Sequence, residues 1–441
     1  MVAFTTVWLG QAISLLGTSM SGFGLTIWAY EVTGQATALA LVGFFFIAPM
    51  VAFSPIAGAI VDRSNRKLMM MISDLAAGVT TIAVLALYGT GQLQIWHLYI
   101  TSFITGTFQT FQWPAYSAAI TLMLPKEQYG RANGMIELAG ASSNIFAPLL
   151  AGALLGVIGL TGILAIDIVT FVVAVGALLL VHVPQPARTE VGKQAQGSIW
   201  KESAYGLRHI FARPSLLGLQ IVFMLGNFFS TLGYTVMAPM ILARTGNDAV
   251  VFGATQTAGA IGGVVGGLAM SAWGGFKNRV HGVLSGWGVS SLLGQTLMGL
   301  GRALPVWATA GFFGAFFSPI INGSNQAIWM AKVEPDVQGR VFATRRLIAW
   351  LVSPIATLAA GPLADYVFEP AMREGGRLTG TFGWLVGTGP GAGMSLMILL
   401  SGLAAALVGF GAYGVRAVRD AESILPDHDA AVAGGEAAEA G

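Results

Sequence analysis

The chain has 441 residues, of which 55% are apolar and 10% charged, and its formal net charge is +2. A soluble domain carries about 25% charged residues, so this composition excludes an ordinary soluble protein. The absence of cysteine excludes disulfides, iron–sulfur clusters and thiolate metal sites. The five histidines are scattered without metal-ligand spacing, and we expect no metal site and no cofactor.

Apolar runs of about 20 residues, separated by short polar breaks, predict transmembrane helices. The predicted fold class is an all-α polytopic membrane protein with twelve transmembrane helices. The first run lacks a basic leader and a cleavage site, so we expect a retained helix. We number the helices as spans 1 to 12, near residues 4–30, 37–61, 68–89, 94–124, 132–158, 161–183, 215–243, 250–273, 281–301, 304–331, 341–368 and 393–416.

The longest polar break follows span 6 and predicts two six-helix bundles. We expect an N-terminal bundle at 1–183, a cytoplasmic linker at 184–214, a C-terminal bundle at 215–416 and a tail at 417–441. The tail is acidic and rich in Ala and Gly, which is typical of disorder. Gly-Arg pairs at 130–131 and 339–340 are 209 positions apart, and Asn-Arg pairs at 65–66 and 278–279 are 213 apart. These near-constant offsets predict two parallel repeats.

The placement of basic residues predicts the orientation. With the N-terminus inside, 18 of the 22 Lys and Arg residues fall on the cytoplasmic side. The other four are Arg244, Arg302, Arg373 and Arg377. We therefore expect both termini in the cytoplasm and the chain in the plasma membrane.

A charged sequence, GAIVDRSNRK, joins spans 2 and 3. Its pattern G-x-x-x-D-R-x-x-R-K resembles the signature of the major facilitator superfamily, with Asn65 where the family usually has Gly. The sequences TGQATALALVGFFFIAP and GRANG resemble the branch of macrolide-efflux and enterobactin-exporter-like proteins. The resemblance extends to about residue 416 and implies the major facilitator fold, two pseudo-symmetric bundles and secondary active transport.

The resemblance also implies that this charged sequence forms a cytoplasmic latch between the bundles. A small residue at the end of span 2 allows a close helix approach, and a carboxylate there would face the positive N-terminus of span 11. The alternative is a topology signal alone. The candidate latch residues are Gly58, Asp62, Arg63, Arg66, Lys67, Asp74, Arg131 and Arg340.

Acids within spans are costly and often functional. Glu137 in span 5 and Asp167 in span 6 are the candidates for proton coupling, and the alternative is a structural acid hydrogen-bonded to hydroxyls or amides. Asp74 is expected to support the latch, and Glu31 and Asp365 to lie at the membrane interface. No phosphate-binding G-x-x-x-x-G-K-[ST] loop occurs, so we expect an ion gradient, most simply of protons, to drive transport.

Two polar stripes predict the substrate site. In each of spans 4 and 10, four polar or aromatic residues recur at i, i+3, i+4 and i+7, which places them on one helix face. Amides facing lipid are expensive, so each stripe should face protein or water. In the family these spans line a central cavity; the alternative is interhelical hydrogen bonds that only hold the bundle together. The stripes are Gln109, Gln112, Trp113 and Tyr116, and Asn322, Asn325, Gln326 and Trp329.

SSNIFAPLLAG in span 5 resembles the antiporter signature of exporters in this superfamily, with Pro148 and Gly152 in matching places and Ala147 in place of its glycine. The prediction is a proton-coupled exporter of an amphiphilic small molecule such as a drug, macrolide or siderophore. The alternatives are a proton-coupled importer and a non-transporting receptor or scaffold. We expect no enzymatic activity and no nucleic-acid partner; the expected partners are the substrate, protons and the lipid bilayer, and the expected state is a monomer.

Overall fold

The structure is a computed structural model that describes residues 2–125, 128–182, 206–333 and 337–427. The described residues are helical with short connections and contain no strand. This confirms the predicted fold class. Within the helices, the surroundings of Gly58 and the side chains of Asp62, Arg63 and Arg340 lie outside the described part.

The helices follow the predicted spans closely. Spans 1 to 4 are Val2–Thr33, Ala36–Arg63, Arg66–Gly89 and Ile95–Met123. Spans 5 and 6 form one helix, Tyr129–Leu180, interrupted at Gly159, whose φ of 65° suits a residue without Cβ. Span 7 is Pro214–Thr235 with Met237–Thr245, and span 8 is Ala249–Trp273. The twelve-helix count is consistent with this order.

The later spans are less regular. Span 9 runs through Arg279–Ser290, a π-helical turn at Ser291–Thr296, and Leu297–Leu300. Span 10 is Leu304–Phe316 with Ser318–Lys332. Span 11 is Gln338–Pro362, a π-helical turn at Leu363–Phe368, and Glu369–Met372. Thr379–Val386 is an additional short helix before span 12, which is Ala392–Gly411 and a 3₁₀ turn at Ala412–Gly414.

Nine helical segments of the described residues are long and apolar enough to cross a membrane. They comprise spans 1 to 3, 7, 8 and 10 to 12, and the continuous segment that holds spans 5 and 6. Spans 4 and 9 are helical but are not among the nine. Span 4 carries Gln109, Gln112 and Pro114 in its middle, and span 9 is divided by its π-helical turn.

The described residues divide between two compact units. Unit 1 comprises Met1–Thr189, Thr235–Ala260 and Thr357–Met394, and unit 2 comprises Glu190–Tyr234, Ile261–Ala356 and Ser395–Gly441. Halves of spans 7, 8 and 11 are therefore grouped with the first six spans. The division into bundles at 1–183 and 215–416 remains a prediction.

In unit 1, glycines let span 1 pack closely against span 6. A Cβ on Gly10 would lie 2.9 Å from the Cβ of Ala177, and a Cβ on Gly17 would lie 3.1 Å from the Cα of Asp167. Large side chains at these positions would separate the helices. The close approach brings the hydroxyl of Thr18 next to Asp167.

In unit 2, apolar side chains of spans 7, 9, 10 and 12 form one core. Leu219, Leu284 and Ile328 are fully buried there, and Phe223 packs edge-on against Trp287 with ring centroids 5.7 Å apart. A second cluster joins Ile210 and Leu216 to Trp329 and Val341. This second core supports the start of span 11.

The paired Asn-Arg sequences have the same local role in the two units. Asn65 accepts a hydrogen bond from the backbone N–H of Leu68 at the start of span 3, and Asn278 accepts one from Val280 at the start of span 9. Asn is a preferred N-cap because its side-chain oxygen satisfies a backbone donor of the first turn. The cap explains why Asn at position 65 fits where the family usually has Gly.

The first residues of the expected disordered tail lie in two short helices, Arg416–Arg419 and Ala421–Ile424. The ammonium of Lys332 donates to the carbonyl of Glu422 at 2.7 Å and pairs with Asp427 at 2.7 Å. These contacts tie the chain to the end of span 10 as far as residue 427. Residues 428–441 lie outside the described part.

Candidate functional site

Asp74 is buried among spans 1, 3 and 4 of unit 1. The amide of Gln11 donates to one carboxylate oxygen at 2.7 Å, and the amide of Gln112 donates to the other at 2.6 Å. Gln112 also donates to the oxygen of Gln11 at 3.1 Å. The partners of Asp74 among the described residues are therefore amides, and its predicted role in the latch remains a prediction. Sequence reasoning missed Gln11, whose single amide in an apolar helix was the available signal.

Asp167 is the second buried acid of unit 1, with 3% of its surface exposed. The hydroxyls of Thr18 and Thr81 each donate to its carboxylate at 2.9 Å, one to each oxygen. A hydroxyl can rotate and act as donor or acceptor. This cage can therefore hold a carboxylate or, with one hydroxyl reversed, a carboxylic acid.

Glu137, the other candidate for proton coupling, lies on an exposed face of span 5. Its neighbours Leu138 and Ala139 line a groove of about 190 Å³ between spans 1 and 5, whose far wall includes Trp8. Drug-sized ligands occupy pockets of about 300–1,000 Å³, so this groove alone does not hold one. Among the described residues no hydrogen-bond partner occurs for Glu137, and its carboxylate is accessible.

The four residues of the span 4 stripe differ in burial: two pack within unit 1 and two are exposed. Gln112 is half-buried and bound to Asp74, and Tyr116 is buried, with 8% of its surface exposed. Gln109 and Trp113 are exposed, Trp113 by 52%. One edge of the stripe thus makes interhelical contacts within the unit, and the other edge is available to a ligand.

The span 10 stripe divides in the same way within unit 2. Asn325 and Trp329 are buried, and the indole N–H of Trp329 donates to the Asn325 oxygen at 3.0 Å. Asn322 is exposed, and its amide donates to the carbonyl of Ser318 at 2.9 Å. Gln326 is half-buried and accepts a hydrogen bond of 2.6 Å from Arg345.

Arg345 is the residue of unit 2 that sequence reasoning missed, because it was counted only as a cytoplasmic positive charge. It lies in span 11 with its guanidinium 5.3 Å from the ring centroid of Trp329 and 5.3 Å from that of Phe342. The carbonyl of Arg345 accepts from the amide of Gln220 in span 7 at 2.9 Å. The structure thus joins Arg345 to the predicted span 10 stripe.

The antiporter-like signature of span 5 packs against span 8 within unit 1. A Cβ on Gly152 would lie 2.8 Å from the carbonyl oxygen of Ala249, and a Cβ on Gly253 would collide with the carbonyl of Pro148. The hydroxyl of Thr257 donates to the carbonyl of Ile145 at 3.0 Å. The two helices therefore touch backbone to backbone along the signature.

The start of span 2 meets the last part of span 11 within unit 1. Asp365, in the π-helical turn of span 11, accepts hydrogen bonds from the backbone N–H groups of Ala36 at 3.0 Å and Thr37 at 2.7 Å. A Cβ on Gly361, one turn earlier, would collide with the backbone of Thr37. Asp365 is thus an N-cap supplied to span 2 from a distant part of the chain. It is half-buried, and sequence reasoning treated it only as an interfacial acid.

Four of the predicted latch residues lie outside the part of the chain whose side chains the structure describes. They are Gly58, Asp62, Arg63 and Arg340. Lys67 donates to the carbonyls of Val181 at 2.7 Å and Leu179 at 3.3 Å, where its charge complements the C-terminus of span 6. Arg66 is half-buried and Arg131 is exposed. The latch role of all these residues remains a prediction. No cluster of metal-ligating side chains occurs among the described residues.

The chain resembles characterised efflux proteins along most of its length. It is 27% identical over 373 residues to macrolide efflux protein A of Streptococcus pyogenes, covering 82% of this chain and 90% of that protein. It is 26% identical over 369 residues to the multidrug efflux pump Tap of Mycolicibacterium fortuitum, covering 79% and 87%. These similarities agree with the branch indicated by the sequence motifs.

Solved transporter structures share the fold. A bacterial homologue of the human lysosomal transporter Spinster, in an inward-facing and unoccupied conformation, aligns with a TM-score of 0.66 and 14% identity over 93% of this chain and 97% of that one. The nucleoside transporter NupG aligns with a TM-score of 0.62 and 14% identity over 94% and 99%. The family model described as "Major Facilitator Superfamily" matches residues 7–357. The chain therefore belongs to the major facilitator superfamily.

Proposed function

We propose that this chain exports an amphiphilic small molecule in exchange for protons by alternating access. Membership in the superfamily supports transport, and the similarity to a macrolide efflux protein and a multidrug efflux pump supports the outward direction. The observation that carries the proposal is the backbone contact between the span 5 signature and span 8, at Gly152 and Gly253. The resemblance assigns this signature to exporters, and here it forms a tight helix contact.

Alternating access requires one end of the site to close while the other opens. In the predicted orientation, the contact of spans 5 and 8 and the Asp365 cap on span 2 both lie at the outer end. Asp62 lies at the opposite end of span 2, which runs from Ala36 to Arg63. In our proposal Asp365 closes the outer end, and the predicted latch residue Asp62, at the other end of span 2, closes the inner end.

Asp167 carries the exchanged proton in this proposal, with Glu137 as the other candidate. The Thr18 and Thr81 hydroxyls can hydrogen-bond to either protonation state of Asp167 after rotation of one O–H. In contrast, Asp74 receives its hydrogen bonds from two amide N–H groups, which can donate but cannot accept. Asp74 is therefore assigned a structural role within unit 1.

In this proposal the accessible residues of each stripe are the substrate contacts of their own unit. Gln109 and Trp113 form the edge in span 4, and Asn322 and Gln326 form the edge in span 10. Amides hydrogen-bond a polar group and an indole ring covers an apolar one, which suits an amphiphile. Gln112, Tyr116, Asn325 and Trp329 support these edges from within their units.

A susceptibility panel tests the function. Cells that lack the protein and cells that overproduce it are exposed to macrolides, cationic dyes and siderophores, and everted vesicles are assayed for accumulation driven by an inward-acidic gradient. Export predicts greater resistance on overproduction and accumulation that collapses with a protonophore. Increased sensitivity on overproduction would indicate an importer, and the absence of any flux would indicate a receptor or scaffold.

A further inference from the structure

The guanidinium of Arg345, close to the start of span 11, has no counter-ion among the described residues of unit 2. None of the ion pairs among the described residues involves Arg345, and its side chain is half-buried. A partly buried cation is costly unless an anion, a dipole or water compensates it. The amide oxygen of Gln326 supplies one dipole at 2.6 Å.

Two hydrogen-bond donors next to this charge have no acceptor among the described residues. The second terminal nitrogen of Arg345, NH1, is buried and makes no hydrogen bond to the described residues. The oxygen of Gln326 is occupied by Arg345, which leaves the NH₂ group of the same amide as a donor. A guanidinium edge beside an amide NH₂ suits an anionic oxygen pair such as a carboxylate.

The surroundings hold the guanidinium in place. Trp329 and Phe342 each place a ring 5.3 Å from it. Trp329 is fully buried and its ring is held by the hydrogen bond to Asn325. The backbone of Arg345 is held by Gln220. Such a preorganised cation loses little conformational freedom when an anion binds.

We propose that Arg345 and Gln326 bind the anionic group of an amphiphilic substrate, so that the preferred substrate class is an organic acid with an apolar body. This assignment rests on the proposed transport function for its physiological role, although the binding itself does not. An anionic lipid headgroup presents similar chemistry. The experiment therefore distinguishes binding of a dissolved acid from binding of a lipid headgroup.

The test uses three probes that share one fluorescent ring and differ in charge: dansylglycine is an anion, dansylamide is neutral and dansylcadaverine is a cation. The full-length protein is placed in phosphatidylcholine nanodiscs, and binding is measured by energy transfer from tryptophan to dansyl. The parent protein should bind dansylglycine most tightly. Arg345→Gln should weaken dansylglycine binding by at least about tenfold, the effect of losing one charged hydrogen bond, and leave dansylamide unchanged.

Arg346→Gln is the matched control, because Arg346 is the next residue and is exposed. It should leave all three affinities unchanged. Arg345→Lys retains the charge and should retain the preference for dansylglycine with a weaker affinity. It keeps the test decisive if Arg345→Gln does not fold. Equal loss of all three probes in Arg345→Gln, or no preference for dansylglycine in the parent, would overturn the proposal.

The lipid arm repeats the titration with phosphatidylglycerol in the nanodiscs. A substrate site predicts an unchanged affinity for dansylglycine, whereas competition that disappears in Arg345→Gln would assign the site to lipid and overturn the substrate class. The proposed transport function is tested by a separate outcome, the flux of substrate into vesicles. If the parent binds dansylglycine through Arg345 but vesicles show no flux of any substrate, the binding site stands and transport does not.

Discussion

At the scale of single residues, the two buried acids of unit 1 differ in their partners. Asp74 is held by amides, which donate through N–H, and Asp167 is held by hydroxyls, which can donate or accept. In our proposal this difference gives Asp74 a structural role and Asp167 the exchanged proton. Both acids are in apolar helices of similar sequence character, so their partners are what separate them.

Asp167→Asn should abolish accumulation driven by a pH gradient and preserve exchange of labelled for unlabelled substrate. The amide cannot carry the proton, but its oxygen can still accept from Thr18 or Thr81, so the protein should fold. Both fluxes are measured in proteoliposomes. Glu137→Gln is the companion variant, and full pH-driven transport in the double variant Glu137→Gln/Asp167→Asn would exclude both acids.

Gln112→Ala and Gln109→Ala should separate structure from substrate contact. Gln112 donates to a buried carboxylate, so its loss should lower the free energy of unfolding by about 1–3 kcal/mol. Gln109 is exposed, so its loss should change substrate preference without changing the melting temperature. Thermal melts and a substrate panel are measured for both. Equal melting temperatures for the two variants would contradict this division of the stripe.

At the scale of secondary-structure elements, the end of unit 1 that we predict to face outward depends on contacts between helices distant in the chain. Asp365 caps span 2 from span 11, and Gly152 allows span 5 to touch the start of span 8. Glu369 makes a similar contact, accepting from the backbone N–H of Met394 at 2.8 Å in the first turn of span 12. Each acid satisfies donors that a helix start leaves unpaired.

Asp365→Asn should favour opening of the outer end. Loss of a charged cap costs about 0.5–2 kcal/mol, or about 2- to 30-fold in the ratio of two states. The reporter is a single cysteine at Ala40, which is 1% exposed and lies next to Gly361. Its reaction with an impermeant maleimide should accelerate by the same factor.

Asp248→Asn is the control for that measurement. Asp248 also accepts from two backbone N–H groups, at 2.8 and 3.0 Å, but it caps the start of its own helix, span 8. Its replacement should leave labelling of the Ala40 cysteine near the parent rate. Equal acceleration by both variants would show that helix capping in general, rather than the link between spans 2 and 11, sets the rate.

Gly152→Ala and Gly156→Ala test the contact of spans 5 and 8. The new methyl at position 152 would lie 2.8 Å from the carbonyl oxygen of Ala249, whereas the one at position 156 would meet nothing within 4 Å. Gly156→Ala should be neutral or slightly stabilising, by about 0.5–1 kcal/mol. Gly152→Ala should be about 1–3 kcal/mol less stable than that control and should transport more slowly. Stability is measured by thermal melts and transport rate by vesicle flux. Equal stability and equal flux in the two variants would show that the contact of spans 5 and 8 constrains neither.

At the scale of the whole molecule, the charge distribution predicts the topology. Cysteines at Ser64 and Thr379 can be introduced singly, because the chain has no other cysteine to react. Impermeant maleimide should label Thr379→Cys in intact cells and Ser64→Cys only after the membrane is opened. Labelling of both from outside would contradict the predicted orientation, in which 18 of 22 basic residues face the cytoplasm.

The sequence by itself determined the helical membrane fold and the family of this protein. Helices in lipid satisfy their own backbone hydrogen bonds, so long apolar runs were sufficient to locate most spans to within a few residues. The charged sequence after span 2 indicated the superfamily, and the sequences TGQATALALVGFFFIAP and GRANG indicated the branch. Both signals are local, because each depends on residues that are close together in the chain.

Only the tertiary structure decided which polar residues act together. Gln11 is 63 positions from Asp74, and Asp365 is 329 positions from Ala36, yet each pair is in hydrogen-bond contact. Helix periodicity placed Gln109 and Gln112 on one face, but that face is wide enough for one residue to bind a buried acid and the other to remain exposed. In the sequence, Arg345 is one of many basic residues predicted to face the cytoplasm. The structure places it against Trp329 and Gln326. Such pairings depend on helix packing in three dimensions, which periodicity within one helix does not specify.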